Sequence, residues 1–267
     1  MFERFYNLAY NPFSKTLKAS DAYDTADMRE VHARLDHLSR TGGIGLITAD
    51  PGMGKTFAVR AWADKLNPNT TKLVYICMST VTNMEFYRQL CCGFGLEPYF
   101  KKSDMYRDIQ ACIRNLADEK GMRVVVVIDE AQYLPTSVLR DLQMLVNFDM
   151  DSRDLMALVL VGHSVLCQYL SRQPYESLRQ RISVNYRMEG LDEPGAKAYV
   201  RGMLLKAGAD PDIFDDAALA AAHGVSGGSI RRLNSVVVNA LTIGAQQQSR
   251  CVDAEMVRSA AEELSIL

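Results

Sequence analysis

The sequence predicts an α/β protein: a five-stranded parallel sheet flanked by helices, followed by a smaller all-helical subdomain. Three observations carry this expectation. Short, continuous apolar runs alternate with longer segments of helical periodicity, as parallel strands buried on both faces require. A glycine-containing turn, Asp50-Pro51-Gly52-Met53-Gly54-Lys55-Thr56, joins the first of these runs to a helix. From about Leu191 onward only helical patterns remain.

Residues 1–40 open with an aromatic-rich segment, Met1 to Phe13, and a polar connector through Asp24. A helix is predicted over Ala26–Ser39, where Met28, Val31, Leu35 and Leu38 recur at spacings of three and four, and Gly42-Gly43 ends it. Strands are predicted at Ile44–Thr48, Leu73–Met78, Val124–Ile128, Ala157–Val161 and Ser183–Arg187. Between them lie helices from about Lys55 to Leu66, stopped by the turn Asn67-Pro68-Asn69, and over Met84–Phe94, Tyr106–Lys120, Ser137–Asn147 and Ser164–Ser171. The last part holds helices at Glu193–Ala207, Asp216–His223 (capped by Asp215), Ser229–Gln246 and Ala254–Leu264 (capped by Asp253). The expected organisation is an N-terminal segment (1–40), an α/β core (41–190) and a helical subdomain (191–267).

Composition narrows the function classes. The 267 residues and 48% hydrophobic content suffice for an α/β core plus a smaller unit. A formal net charge of −2 supplies no bulk basic field for nucleic acid, although a local patch or a ring of subunits can still provide one. No apolar run approaches the roughly 18 residues of a membrane span. The N-terminus lacks the apolar core of a signal peptide. The six cysteines form no Cys-x-x-Cys pair and the four histidines are scattered, which argues against a zinc motif and for free thiols in a reducing cytoplasm.

The residue types in two stretches point to a chemistry. Glycines in the turn let backbone N–H groups approach a phosphate chain, and the following helix presents its positive dipole end to the same charges. Lys55 would reach the β- and γ-phosphates and the Thr56 hydroxyl would ligate magnesium. In Val124-Val125-Val126-Val127-Ile128-Asp129-Glu130, a buried strand ends in two carboxylates. Asp129 would hold the metal's water shell, and Glu130 would orient and polarise an attacking water as general base. The pattern asks for glycine six positions before the lysine, where this chain has Ala49; alanine fits if the backbone there keeps negative φ.

These residues resemble the AAA+ ATPases, a branch of the P-loop NTPases. A narrower likeness to ExeA-type ATPases rests on Asn11-Pro12-Phe13-Ser14, Asp129-Glu130-Ala131-Gln132-Tyr133-Leu134, Leu158-Val159-Leu160-Val161-Gly162, Leu178-Arg179-Gln180-Arg181-Ile182 and Ser226-Gly227-Gly228-Ser229-Ile230-Arg231-Arg232. The resemblance implies ATP and Mg2+ as cofactors, with Asp50, Pro51, Gly52, Met53, Gly54, Lys55, Thr56 and Phe57 around the phosphates and the helical subdomain acting as a lid. It also implies a head-to-tail ring or filament, in which Arg181 or Arg179 of one subunit reaches the nucleotide of the next. Arg231, with Arg232 as fallback, matches the lid arginine that touches the γ-phosphate, and His163 stands where relatives place a γ-phosphate sensor. Asn11-Pro12-Phe13 resembles the segment beside the adenine, though a turn with Phe13 in a core fits equally. His163 and the arginines have ordinary surface roles as alternatives, and Trp62 reads as core.

The family has two branches: membrane-anchored secretion ATPases, and helpers of DNA transposition related to TniB, TnsC and Mu B. Because the chain stops after the lid without a membrane span, the expectation is a cytoplasmic regulator of transposition. It would bind double-stranded DNA without sequence preference and recruit a transposase. Ser79–Asn83, Lys101-Lys102 and Arg107 are its candidate DNA contacts. The alternative is a secretion or envelope-assembly ATPase acting on protein partners. A nucleotide-gated scaffold that barely hydrolyses is a third reading, against which Glu130 argues.

Overall fold

The structure, a computed structural model, describes residues 2–77 and 80–264 apart from the side chain of Asp151. Met1, Met78 and Ser79, part of the expected opening motif, second strand and hydroxyl-rich loop, lie outside the described residues. A one-turn helix α1 (Phe2–Phe5) precedes α2 (Ala26–Thr41), β1 (Gly43–Ala49) and α3 (Lys55–Ala63). Next come β2 (Thr71–Ile76), α4 (Asn83–Phe94), α5 (Lys102–Arg114) and β3 (Arg123–Ile128). They are followed by α6 (Thr136–Leu145), β4 (Ala157–His163), α7 (Val165–Leu170), α8 (Glu176–Gln180) and β5 (Ile182–Arg187). The chain closes with α9 (Glu193–Lys206), α10 (Asp216–Ser226), α11 (Ile230–Gln246) and α12 (Ala254–Leu264).

Two compact units result, one comprising Glu30–Asp50 and Ala58–Met188, the other Met1–Arg29, Pro51–Phe57 and Glu189–Leu267. The first holds the whole sheet, five parallel strands in the order β2-β3-β4-β1-β5. The central strands are buried almost throughout because their runs of Val, Ile and Leu are covered on both faces, whereas edge strand β5 alternates and exposes Asn185 and Arg187. One face packs on Phe86 and Leu90 of α4, Met105 and Ile109 of α5 and Leu142 of α6. Trp62 of α3 is 2% exposed and donates its indole N–H to Asp36 Oδ1 at 2.8 Å, a core role as expected. Register pairs Ile128 with Leu160, Thr48 with Gly162 and Ala49 with His163, so β1, β3 and β4 end at one edge of the sheet. In open α/β sheets that edge is where ligands bind.

The second unit wraps α9–α12 around a core that includes Val200, Phe214, Val237 and Leu241. The aromatic N-terminal segment belongs to this core: Phe2, Tyr6, Leu8 and Phe13 are buried, and Tyr6 donates to the Ser249 carbonyl at 2.9 Å. Asp215 and Asp253 cap α10 and α12 by accepting from Ala218 N–H at 2.6 Å and Met256 N–H at 2.9 Å, as expected. Helix α10 outlasts the expected His223 end because Gly227, at φ 56°, is the first residue to leave the helix. Helix α8 was not among the expected elements; its residues entered only as the block Leu178-Arg179-Gln180-Arg181-Ile182.

Candidate functional site

Within the unit containing residues 51–57, the loop's conformation depends on its glycines. Gly52 and Gly54 have φ of 84° and 92°, in the left-handed half of the map that residues with a Cβ avoid. Gly52 also has no room for one: a Cβ there would sit 2.4 Å from Ser229 Oγ and 3.1 Å from Arg231 Cβ. The Arg231 backbone N–H, at the first turn of α11, donates to the Gly52 carbonyl at 3.0 Å. One of the four N–H groups that a helix start leaves without an internal partner is thereby spent on the loop. Ser229 caps the same turn by accepting from Arg232 N–H at 3.4 Å. Lys55 is buried at the start of α3, while Thr56 and the Arg231 side chain are exposed. The structure thus brings the expected lid arginine's backbone onto the phosphate-type loop itself.

The other unit gathers the carboxyl ends of β1, β3 and β4. Ala49 ends β1 without a positive φ, the condition under which alanine replaces glycine at that position. Asp129 is 4% exposed and held from two sides: Glu130 N–H donates to its Oδ1 at 2.8 Å and the Tyr75 phenol donates to its Oδ2 at 2.7 Å. Burial first, and then the bond to Asp129, push the Tyr75 phenol well above its usual range, so it remains a donor to the carboxylate. Glu130 turns the chain through a left-handed conformation (φ 52°, ψ 38°), costly for a residue with a Cβ, and its side chain emerges exposed.

Two residues at this edge, Gln132 and Ser164, join the named candidates. Gln132 donates its amide N–H to Glu130 Oε2 at 2.6 Å and accepts His163 N–H at its Oε1 at 2.9 Å. Ser164 donates to Asp50 Oδ1 at 2.5 Å, which ties down a carboxylate adjoining the loop. The His163 ring accepts Val165 N–H at Nδ1 (3.2 Å), which leaves Nε2 as its outward nitrogen, 3.8 Å from Asp50 Oδ1. Tyr75 and Gln132 escaped sequence reasoning as side chains with a job. The only signal available for Tyr75 was a polar-tipped aromatic close to the end of a strand, and for Gln132 its place two residues after Glu130.

Other expected residues sit differently. Phe13 is 5% exposed, with its ring centroid 6.5 Å from that of Tyr199, and Asn11 Oδ1 accepts Phe13 N–H at 3.0 Å. Pro12 is buried between them, and the segment forms a turn with Phe13 in a core. Arg179 is exposed on α8 and donates to the Ser171 carbonyl at 3.3 Å; Arg181 is half-buried at the helix end. Of the candidate DNA contacts, Lys102 pairs with Asp141 at 2.6 Å, Asn83 bonds the same carboxylate at 3.1 Å, and Arg107 pairs with Asp104 at 3.3 Å. Thr82 caps α4 in a reciprocal capping box with Glu85. Among the described residues no helix is long and apolar enough to cross a membrane.

Comparisons with known proteins agree with this architecture. The profile of a family described as "AAA domain" matches residues 37–170. General secretion pathway protein A of Aeromonas hydrophila is 33% identical over 272 residues, which cover 99% of this chain and 49% of that protein. The chain therefore spans about half the length of the curated relative it matches. Among solved structures, Cdc6p of Pyrobaculum aerophilum superposes with a TM-score of 0.70 at 17% identity, over 96% of this chain and 71% of that one. The ORC2 protein of Aeropyrum pernix, solved in ADPNP–ADP complexes, gives 0.69 at 14% identity over 96% and 72%. Both share the fold.

Proposed function

Because the chain belongs to the AAA domain family of P-loop ATPases, we propose that it hydrolyses ATP with the residues singled out above and uses the cycle to act on protein partners of a secretion or envelope-assembly machine. The observation that supports the chemistry most is the end of β3, where a buried Asp129 is followed by an exposed Glu130. In this reading the glycine loop and Lys55 hold the triphosphate. The donor set suits magnesium: the Thr56 hydroxyl and the Asp129 carboxylate are hard oxygens, and Mg2+ needs only one or two protein ligands beside phosphates and water. Asp129 accepts from Tyr75 and from Glu130 N–H, and a carboxylate offers about four lone-pair sites in all. Magnesium would neutralise charge on the phosphates. Glu130 takes a proton from the attacking water, and Arg231 and His163 respond to the γ-phosphate.

Head-to-tail assembly completes the proposal, with Arg181 or Arg179 supplied to the neighbouring subunit's nucleotide. The secretion reading leads because the curated relative is a secretion-pathway protein aligned over 99% of this chain. The transposition reading, with duplex DNA and a transposase as partners, has less support. Its candidate contacts Asn83, Lys102 and Arg107 have internal partners, and chain length does not separate the two, since the relative is about twice as long. Glu130→Gln should lower turnover by at least a hundredfold while ATP binding persists; wild-type turnover in that variant would remove Glu130 from the mechanism. Binding to random-sequence duplex DNA at low salt with a non-hydrolysable ATP analogue should be absent. A shift that weakens steeply with salt would restore the DNA reading.

A further inference from the structure

The expected general base is not free to point anywhere. Gln132 reaches back two residues to give an amide hydrogen to Glu130 Oε2 at 2.6 Å, a short, charge-assisted bond. The same amide's oxygen is fixed by His163 N–H at 2.9 Å, the last residue of β4. An amide has one acceptor end and one donor end, and here both are used, so its orientation is determined rather than arbitrary. The space for this bridge comes from Gly162: a Cβ there would stand 2.7 Å from Gln132 Oε1 and 3.0 Å from Leu166 Cδ2. His163 is in turn linked onward, through Ser164 and its own ring, to Asp50 next to the loop. A side chain with three rotatable bonds is thus held at both ends of its amide, with a missing Cβ at the strand end to admit it.

We propose that Gln132 is the positioning residue for the general base: it fixes one oxygen of Glu130 against the end of β4, leaving the other to take the proton from water. This rests on the assignment of Glu130 as base. Because the second anchor is the backbone of His163, a shift at that strand end moves the amide and hence the carboxylate. The bridge is therefore the route by which the position of the β4 end sets the readiness of Glu130. Glutamine is required on chemical grounds. Asparagine is one methylene too short to span both partners. Glutamate could still accept His163 N–H but has no N–H to give Glu130, and its second carboxylate oxygen would repel that of Glu130 instead of holding it.

The test is steady-state ATPase kinetics at neutral pH on the full chain, with affinity for a fluorescent ATP analogue and thermal unfolding measured in parallel. Gln132→Ala and Gln132→Asn should lower kcat about tenfold or more, with nucleotide affinity and KM within twofold of wild type. Gln132→Glu should lower kcat at least as far as Gln132→Ala at unchanged nucleotide affinity, a split between kcat and KM that a merely structural role would not produce. Gly162→Ala, which crowds the amide without touching Glu130, should reproduce the kcat loss of Gln132→Ala. The proposal is overturned if Gln132→Ala and Gln132→Glu keep wild-type kcat, or if the loss falls on KM and affinity instead. Glu130→Gln in the same series separates the two levels. If it turns over like wild type, the base assignment fails and this proposal with it. If it is inactive while the Gln132 variants are normal, only the positioning role fails.

Discussion

Gly52→Ala tests whether the loop is shaped by its own backbone or by the helix start it touches. The substitution has two costs. At φ 84° a Cβ meets the left-handed penalty of about 1–2 kcal/mol. The new methyl would also stand 2.4 Å from Ser229 Oγ and 3.1 Å from Arg231 Cβ. The hydroxyl can rotate away, but it then gives up the cap on α11, a loss of about 1 kcal/mol. Arg231 Cβ is fixed to the backbone, and its displacement strains the 3.0 Å bond from Arg231 N–H to the Gly52 carbonyl. The expected total is about 2–4 kcal/mol, which in a domain of this size lowers Tm by roughly 5–15 °C. Nucleotide affinity should fall at least tenfold, since the loop's N–H groups no longer converge. Ser229→Gly alone should cost only a few tenths of a kcal/mol, because glycine is a tolerable N-cap. Combined with Gly52→Ala it should recover about 1 kcal/mol, a non-additivity that a double-mutant cycle in urea measures directly. If Gly52→Ala unfolds within 0.5 °C of wild type, or if the double variant shows no recovery, the steric coupling between loop and helix start is not what shapes the loop.

Three further predictions follow from the same geometry. Tyr199, buried and donating to Asn234 at 3.0 Å, has its phenol pushed up to about 12 by burial. The fold therefore favours the protonated form, a stabilisation present below pH 10 and lost between pH 10 and 12; at roughly 1.4 kcal/mol per pH unit it is worth about 3 kcal/mol. Tyr199→Phe should be less stable at pH 7 yet lose less stability than wild type between pH 9 and 11.5, read from urea midpoints. Phe13→Ala should cost about 3–5 kcal/mol of stability through the cavity it leaves while changing ATP affinity less than threefold; a selective affinity loss would reinstate a base contact. Arg181→Ala and Arg179→Ala should lower ATPase activity only at concentrations where the wild type assembles. Doping either variant with Glu130→Gln subunits should restore turnover if the arginine acts on a neighbour.

The relation between sequence and structure differs from element to element. Val124–Ile128 and Ala157–Val161 were legible because a strand buried on both faces has no choice but continuous apolar residues. The helix caps Asp215 and Asp253 were legible because a cap depends only on residues three positions away. Glu130 and Asp129 were legible as chemistry, since two carboxylates closing such a strand have few other uses. Phe13 was ambiguous for a physical reason: an aromatic after Asn-Pro serves a core or a ligand equally well until the partner, here Tyr199, is known. Asn83 and Lys102 read as candidate DNA contacts because their shared partner, Asp141, lies 58 and 39 residues further along the chain, beyond any local pattern.

By itself the sequence determined the alternation of elements, the phosphate-type loop and the identity of the acid residues, all consequences of local periodicity and local chemistry. Only the tertiary structure decided which side chains restrain them. That Tyr75 holds Asp129, that Gln132 ties Glu130 to the end of β4, and that the start of α11 hydrogen-bonds to Gly52 depend on strand register and on contacts between residues up to about 180 positions apart. Apart from the bond between Gln132 and Glu130, two positions apart, such contacts are set by packing the whole chain at once, and no short window of sequence contains both partners.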